Sequence, residues 1–197
     1  MKKTNTKIGI DLDGVVFDSE AAFRVYEEIF AIENLNKKII NIEEPKYQGR
    51  YDWTKEEQDK FNKKYLLKAS QESHLMSGFL PVYKRLKEFG FEMIVITARG
   101  GFFEEMKDDA IRLLNENNIV FDKYYWKIDD KLEICKKENI DIMIDDDYRI
   151  INKISNANIK TLYFRAANLK KLDETNYIHE VNNWGDIYRY FTELENN

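Results

Sequence analysis

Asp11 and Asp13 stand two residues apart at the end of the apolar run in KIGIDLDGVVFDS, and their types and spacing suit metal or proton chemistry. Carboxylates this close repel each other, and burial raises the pKa of at least one unless a cation or a proton lies between them. The pair reads as half of a magnesium site. On these residues alone it reads equally as a surface turn in which Asp and Gly serve only the bend. A second acidic group, Asp145, Asp146 and Asp147, closes another short apolar run and needs a cation or water. Thr97 ends the run FEMIVIT just ahead of Ala98, Arg99, Gly100 and Gly101, and Lys131 follows later, with Lys127 as an alternative. A hydroxyl and an ammonium are donors suited to places where negative charge gathers.

These residues need elements to bring them together. Ile8, Ile10 and Leu12 alternate with small or polar residues, which predicts a short buried strand, and Gly14 permits the sharp turn at its end. Asp18 or Ser19 then caps a helix over 18–34, with Ala22, Phe23, Tyr26, Ile29 and Phe30 at helical spacing. The periodicity fails over 34–53, where Pro45 and Gly49 punctuate an aromatic loop. Thr54 and Glu57 form a capping-box pattern for a further helix bearing Phe61, Tyr65 and Leu66. Residues 18–78 thus read as a helical insertion into a core made of 1–17 and 79–197. In that core a helix runs from Pro81 to Gly90, a strand spans 91–97, a helix 103–117 and a short strand 124–126. The helix of KLEICKKENI, capped by Asp129 or Asp130, carries Lys131 in its first turn. Strands over 141–144 and 158–164 and a closing helix over 184–194 complete the chain.

Short apolar strands alternating with helices are the pattern of a parallel sheet covered on both faces. The expected fold is α/β: a three-layer sandwich with a mainly parallel, Rossmann-like sheet and a small helical cap inserted after the first strand. Strand C-termini in such a sheet share one edge, where ligands bind, so Asp11, Asp13, Thr97, Asp145 and Asp146 are expected to converge.

Composition excludes other classes. With 31 basic and 36 acidic residues, a net charge of -5 and no long Lys/Arg run, polymeric nucleic acid is a poor partner. The single Cys135 permits neither an intrachain disulfide nor a cysteine-based zinc site. No apolar run reaches the length of a membrane span, and MKKTNTKIGI leads into the first strand without a signal-peptide apolar region; the expectation is a soluble, cytoplasmic protein. His74 and His179 have no companion ligands nearby in sequence.

The order of the motifs resembles the haloacid dehalogenase-like phosphatases, with DxD after the first strand, then Thr or Ser, then Lys, then an acidic pair. Here these are DLDG at Asp11 and Asp13, VITA at Thr97, Lys131, and IDDD at Asp145 and Asp146, over about residues 7–165. A helical cap just after the first motif is similar to the arrangement of the 5'(3')-deoxyribonucleotidases. The resemblance implies a Mg²⁺-dependent phosphomonoester hydrolase. Asp11 would be the nucleophile that forms an aspartyl-phosphate, and Asp13 the acid that protonates the leaving oxygen and then the base for water. Mg²⁺ would be held by Asp11, the Asp13 carbonyl and Asp146, which the resemblance prefers to Asp145. Thr97 and Lys131 would hold the transferring phosphoryl group, with Ala98 and Arg99 adding phosphate contacts; a surface salt bridge is the other reading of Arg99. Tyr51 and Trp53, beside Tyr47 in the cap loop, serve either to stack on a nucleobase or to pack the cap against the main domain.

The substrate so implied is a small phosphorylated metabolite: a nucleoside monophosphate, with a sugar phosphate or other small phosphometabolite as the rival. Two readings from another class are a receiver-like signalling domain and a catalytically silent binding module. A receiver carries its acidic pair near the first strand and its phosphoacceptor later, the reverse of the order here.

Overall fold

The structure is a computed structural model and describes residues 5–196. After β1 (Lys7–Ile10) the chain makes a helical excursion. It contains α1 (Ser19–Phe30), a π-helical turn (Ala31–Leu35), α2 (Tyr47–Arg50), α3 (Lys55–Phe61), a second π-helical turn (Asn62–Leu66) and α4 (Leu67–Gln71). The capping box at Thr54 forms as expected: its hydroxyl accepts from the Glu57 amide at 3.3 Å, and Glu57 Oε2 accepts from the Thr54 amide at 2.7 Å. Tyr26, Phe30, Tyr47, Tyr51, Trp53 and Phe61 bury one another in a cluster separate from that of the sheet. The two chain segments joining excursion to core are laced together, Met76 N donating to Val16 O at 2.8 Å and Asp18 N to His74 O at 2.9 Å.

The core follows with α5 (Phe79–Phe89), β2 (Glu92–Ile96), α6 (Glu104–Glu116), β3 (Lys123–Tyr125), α7 (Lys131–Glu138), β4 (Ile142–Asp145), α8 (Tyr148–Ser155), β5 (Lys160–Phe164), β6 (Ile178–Val181) and α9 (Trp184–Asn196). The strands pair in the order β3-β2-β1-β4-β5-β6, every pairing parallel. Alternation within the strands feeds both faces. Ile8, Ile10, Met93, Val95, Ile142, Ile144, Leu162 and Phe164 pack with side chains of α5, α6 and α9. Ile94, Ile96 and Met143 face Cys135 of α7 and Ile154 of α8. Burying each of these large side chains is worth about 1.5–3 kcal/mol. Trp184 ties the closing helix to the loop after β1, its indole N–H donating to Val15 O at 2.9 Å.

In the excursion, α2 forms where a loop was expected, and two elements of the core were not expected. β6 is a short edge strand, IHEV, with polar residues in the middle, so it leaves no apolar run to read. α8 begins at the acidic triplet, where Asp147 is its N-cap, accepting from the Arg149 amide at 3.0 Å. No helix among the described residues is long and apolar enough to cross a membrane.

The strand order places the topological switch between β1 and β4, so the crevice at their C-terminal ends is the natural ligand position. It also differs from the 2-1-3-4-5 order of receiver-type sheets, which removes the receiver reading.

Candidate active site

Asp11 follows β1 directly, and its amide still donates to Ile144 O at 3.0 Å, so β4 fixes its backbone. Its Oδ1 accepts from the Leu12 amide at 2.8 Å, and its Oδ2 lies 2.7 Å from Lys131 Nζ. The chain then curls, the amides of Val16 and Phe17 donating to Leu12 O at 2.9 and 2.8 Å. Strand alternation therefore ends before Asp13. Gly14 adopts φ +73°, and a Cβ there would stand 2.3 Å from Asp146 Oδ2. Only glycine lets this loop close on the acidic pair.

Lys131 opens α7, which Asp130 caps by accepting from the Leu132 amide at 3.2 Å. Its ammonium is 4% exposed as a residue and sits 2.7 Å from both Asp11 Oδ2 and Asp145 Oδ2. Burial pulls its pKa down, but the two carboxylates outweigh that and hold it above the ordinary lysine value. Lys127, the alternative, instead pairs with Glu104 at the surface.

The acidic triplet divides its labour. Asp145 is fully enclosed; burial pushes its carboxyl up to about 6 against the pull of Lys131, and its Oδ1 accepts from the Asp147 amide at 2.9 Å. Asp146 is raised well above the ordinary range by burial and by the nearby charges of Glu20, Asp145 and Asp11. Asp147 lines the same cavity as its two neighbours but is bonded to Arg149 and paired with Lys46. Burial would lift it, but hydrogen bonds to Arg149 and the charges of Lys46 and Arg149 bring it down to about 2. Asn168, in the loop after β5, holds Asp146 from behind, donating from Nδ2 to its carbonyl at 2.7 Å and to Oδ2 at 3.3 Å. No motif marked Asn168, because a lone loop asparagine carries no periodic signal.

Asp11, Asp145 and Asp146 each present a carboxylate oxygen within 4.8 Å of the others. An all-oxygen donor set at this spacing fits a hard divalent cation such as Mg²⁺. Both oxygens of Asp145 already bond to protein donors, through Lys131 Nζ and the Asp147 amide, so Asp146 is the freer ligand. A cation here would relieve the part of Asp146's rise that comes from the neighbouring charges of Glu20, Asp145 and Asp11, while burial is the larger part.

Thr97 follows β2, buried, and its Oγ1 accepts from the Arg99 amide at 3.2 Å. Ala98 is exposed in the cavity wall. Arg99 lines the cavity and is not a surface residue. Its side chain is 2% exposed and engages Asp13 through Nη1, the Met106 carbonyl through Nε at 2.8 Å, and Ser70 through Nη2. It therefore joins the acid/base candidate to α4 and α6. Sequence reading missed this because Ser70 and Met106 are brought to Arg99 only by the excursion folding over the sheet.

A cavity of about 250 Å³ lies between sheet edge and helical segment, lined by Asp11, Asp13, Thr97, Arg99, Lys131 and Asp146 on one side and by Glu20, Phe23, Tyr47 and Phe61 on the other. Tyr51 and Trp53 do not line it. They are 2% and 5% exposed and stack on each other with ring centroids 4.5 Å apart inside the helical segment's own core. An aromatic pair saturated by its neighbours offers no face to a nucleobase.

No family model matches the sequence, and no curated protein matches it. Solved structures do match. A haloacid dehalogenase-like hydrolase from Streptococcus pneumoniae superposes with TM-score 0.65 at 15% identity, covering 94% of this chain and 98% of its own. A "predicted phosphatase" from Clostridium acetobutylicum gives 0.65 at 18% identity, with 95% and 98% covered. A "predicted phosphoglycolate phosphatase" from Haemophilus somnus gives 0.59 at 13% identity, with 94% and 97% covered. The chain has the fold of the haloacid dehalogenase-like hydrolases.

Proposed function

We propose that this protein is a Mg²⁺-dependent phosphomonoester hydrolase that works through an aspartyl-phosphate. The observation that carries the proposal is the meeting of Asp11, Asp13, Thr97, Lys131 and Asp146 around one cavity at the switch point of the sheet. The fold shared with structures named as hydrolases and phosphatases supports it.

Asp11 Oδ attacks phosphorus while the bond from phosphorus to the leaving oxygen breaks and Asp13 gives that oxygen its proton. Water then attacks the phosphorus of the aspartyl-phosphate, Asp13 takes the proton back, and Asp11 is regenerated as phosphate departs. Lys131 and the Thr97 hydroxyl donate to the phosphoryl oxygens, an interaction type worth on the order of 3 kcal/mol in the transition state. Asp11, Asp146 and the Asp13 carbonyl would hold Mg²⁺, which supplies charge neutralisation between a phosphate dianion and the carboxylates. Residues 18–78 act as a cap that closes the reacting edge from water.

The substrate is a small phosphorylated metabolite. The nucleotide reading rested on the motif order and on the helical cap's resemblance to that of the 5'(3')-deoxyribonucleotidases; Tyr51 and Trp53, buried in the cap core, add no stacking surface to it. A sugar phosphate or other small phosphometabolite fits at least as well, in keeping with a neighbour named as a phosphoglycolate phosphatase. The test is phosphate release from p-nitrophenyl phosphate with and without Mg²⁺, for the wild type and Asp11→Asn. Metal-dependent turnover abolished by the substitution, with the melting temperature retained, is expected. Turnover retained by Asp11→Asn refutes the mechanism, and inactivity of the wild type on every phosphate ester leaves the silent binding module.

A further inference from the structure

Asp146, the freer carboxylate of the metal cluster, is held from behind by Asn168, and the helical excursion sets the orientation of that amide. Asn168 is 2% exposed and turns the two ends of its side chain to different partners. Its Nδ2 donates to the Asp146 carbonyl at 2.7 Å and to Asp146 Oδ2 at 3.3 Å, and its Oδ1 accepts from Arg24 Nη2 at 3.0 Å. An amide turned over end for end keeps its shape but would set its oxygen against the Asp146 carboxylate. A guanidinium has donors and no acceptor, so Arg24 admits only the orientation that gives Asp146 the N–H groups.

Arg24 lies on α1 of the excursion, 144 residues from Asn168 in the chain. Its Nε is buried without a hydrogen-bond partner among the described residues, Glu20 Oε2 standing 4.0 Å away. A buried donor without an acceptor costs free energy that a methionine of similar length would avoid, so packing alone does not account for an arginine here. The bond to Asn168 does.

On the Mg²⁺ reading of the acidic cluster, which this inference assumes, we infer that Arg24 is a positioning residue for the metal site: by fixing the amide of Asn168 it holds Asp146 in place as a ligand. Arg24 belongs to the excursion and Asp146 to the core. Metal affinity therefore depends on the excursion being seated, and by linkage a bound metal seats the excursion to the same degree.

Mg²⁺ binding to the full chain, measured by titration calorimetry without substrate, tests this on the wild type, Arg24→Met, Arg24→Lys, Asn168→Ala and the double variant Arg24→Met/Asn168→Ala. Losing a partner behind a metal ligand weakens binding about 10–100-fold, and Arg24, one residue further out, takes the lower figure: Arg24→Met should bind about tenfold more weakly. Arg24→Lys keeps a donor for Asn168 Oδ1 and should recover most of that loss. In the Asn168→Ala background no amide remains to be oriented, so adding Arg24→Met should change binding less than about twofold. The sign of the effect separates orientation from charge. The charge of Arg24 acts on Asp146, so by charge alone its removal would free the carboxylates for a divalent cation and tighten binding. Hydrogen exchange gives the reciprocal readout: Mg²⁺ should slow exchange of the α1 amides in the wild type, and slow it less in Arg24→Met. Arg24→Ala, which favours the helix, replaces Arg24→Met if that variant misfolds. Unchanged or tighter binding in Arg24→Met, or a full tenfold further loss in the Asn168→Ala background, overturns the inference and leaves the phosphatase reading intact. A wild type that binds no Mg²⁺ overturns the metal reading, and this inference with it.

Discussion

Arg99→Met tests whether Asp13, the proposed acid/base residue, is held in place by a bridge to the helical excursion, the proposed cap. The replacement roughly keeps the side chain's length but removes every donor. Asp13 loses its ion pair, and the carbonyls of Met106 and Ser70 lose their bonds. Removing one partner of a buried ion pair costs about 3–5 kcal/mol, and because the Asp13 side chain is 24% exposed and recruits water, the lower end applies. At about 2–4 °C per kcal/mol for a chain of this size, ~3 kcal/mol lowers the melting temperature by about 6–12 °C. The kinetic effect is selective. A general acid is worth about 10²–10⁴-fold, and that contribution matters most when the leaving oxygen is a poor leaving group. Arg99→Met should therefore lose far more activity on an alkyl phosphate than on p-nitrophenyl phosphate, whose phenolate departs without a proton. Arg99→Lys, which keeps charge but not the planar fork, should fall between. Calorimetry and parallel kinetics on the two esters read both effects. Equal losses on the two esters, or an unchanged melting temperature, would refute the bridge.

Three further outcomes follow from the geometry. Asn168→Ala removes the donor behind Asp146 and should weaken Mg²⁺ activation by about 10–100-fold, measured as the metal concentration giving half-maximal turnover; an unchanged value would show that Asp146 needs no support. In the metal-free protein Asp145 is lifted from 3.8 to about 6, so its stabilising contribution is full below its unfolded value and is lost as pH rises through 6. Because Mg²⁺ needs the carboxylates ionised, the rise in melting temperature on adding Mg²⁺ should be larger at about pH 7 than at about pH 5, and a larger rise at the lower pH would contradict the assignment. Trp53→Ala should cost about 3–5 kcal/mol of cap stability and impair all esters alike; a KM increase confined to nucleotides would return Trp53 to the substrate site.

The sequence by itself determined which residues meet at the sheet edge and in what chain order. Apolar runs at Ile8–Ile10, Met93–Ile96 and Ile142–Ile144 specify buried parallel strands, and in such a sheet the residues just past each run must share an edge. Asp11, Thr97 and Asp145 were legible for that reason. Lys131 was legible because Asp130 marks where its helix begins. The cap helices were legible from the box at Thr54 and the aromatic spacing of α1.

Tertiary structure decided the partners. Asp145 and Asp146 are neighbours of one type in the chain, yet one receives Lys131 and the other faces Asn168, a difference set by which side of the β4 terminus each side chain leaves. Asp147, alike in sequence, becomes a helix cap. Arg99 could be assigned neither to phosphate nor to the surface until Ser70 arrived from 29 residues away to fill its fork. Tyr51 and Trp53 had the composition of a stacking platform, but only the packing of α1 against α3 showed that their faces were already taken. Local periodicity tells a residue which element it joins and which face it takes; long-range packing chooses its partner, and at this site the partner sets the role.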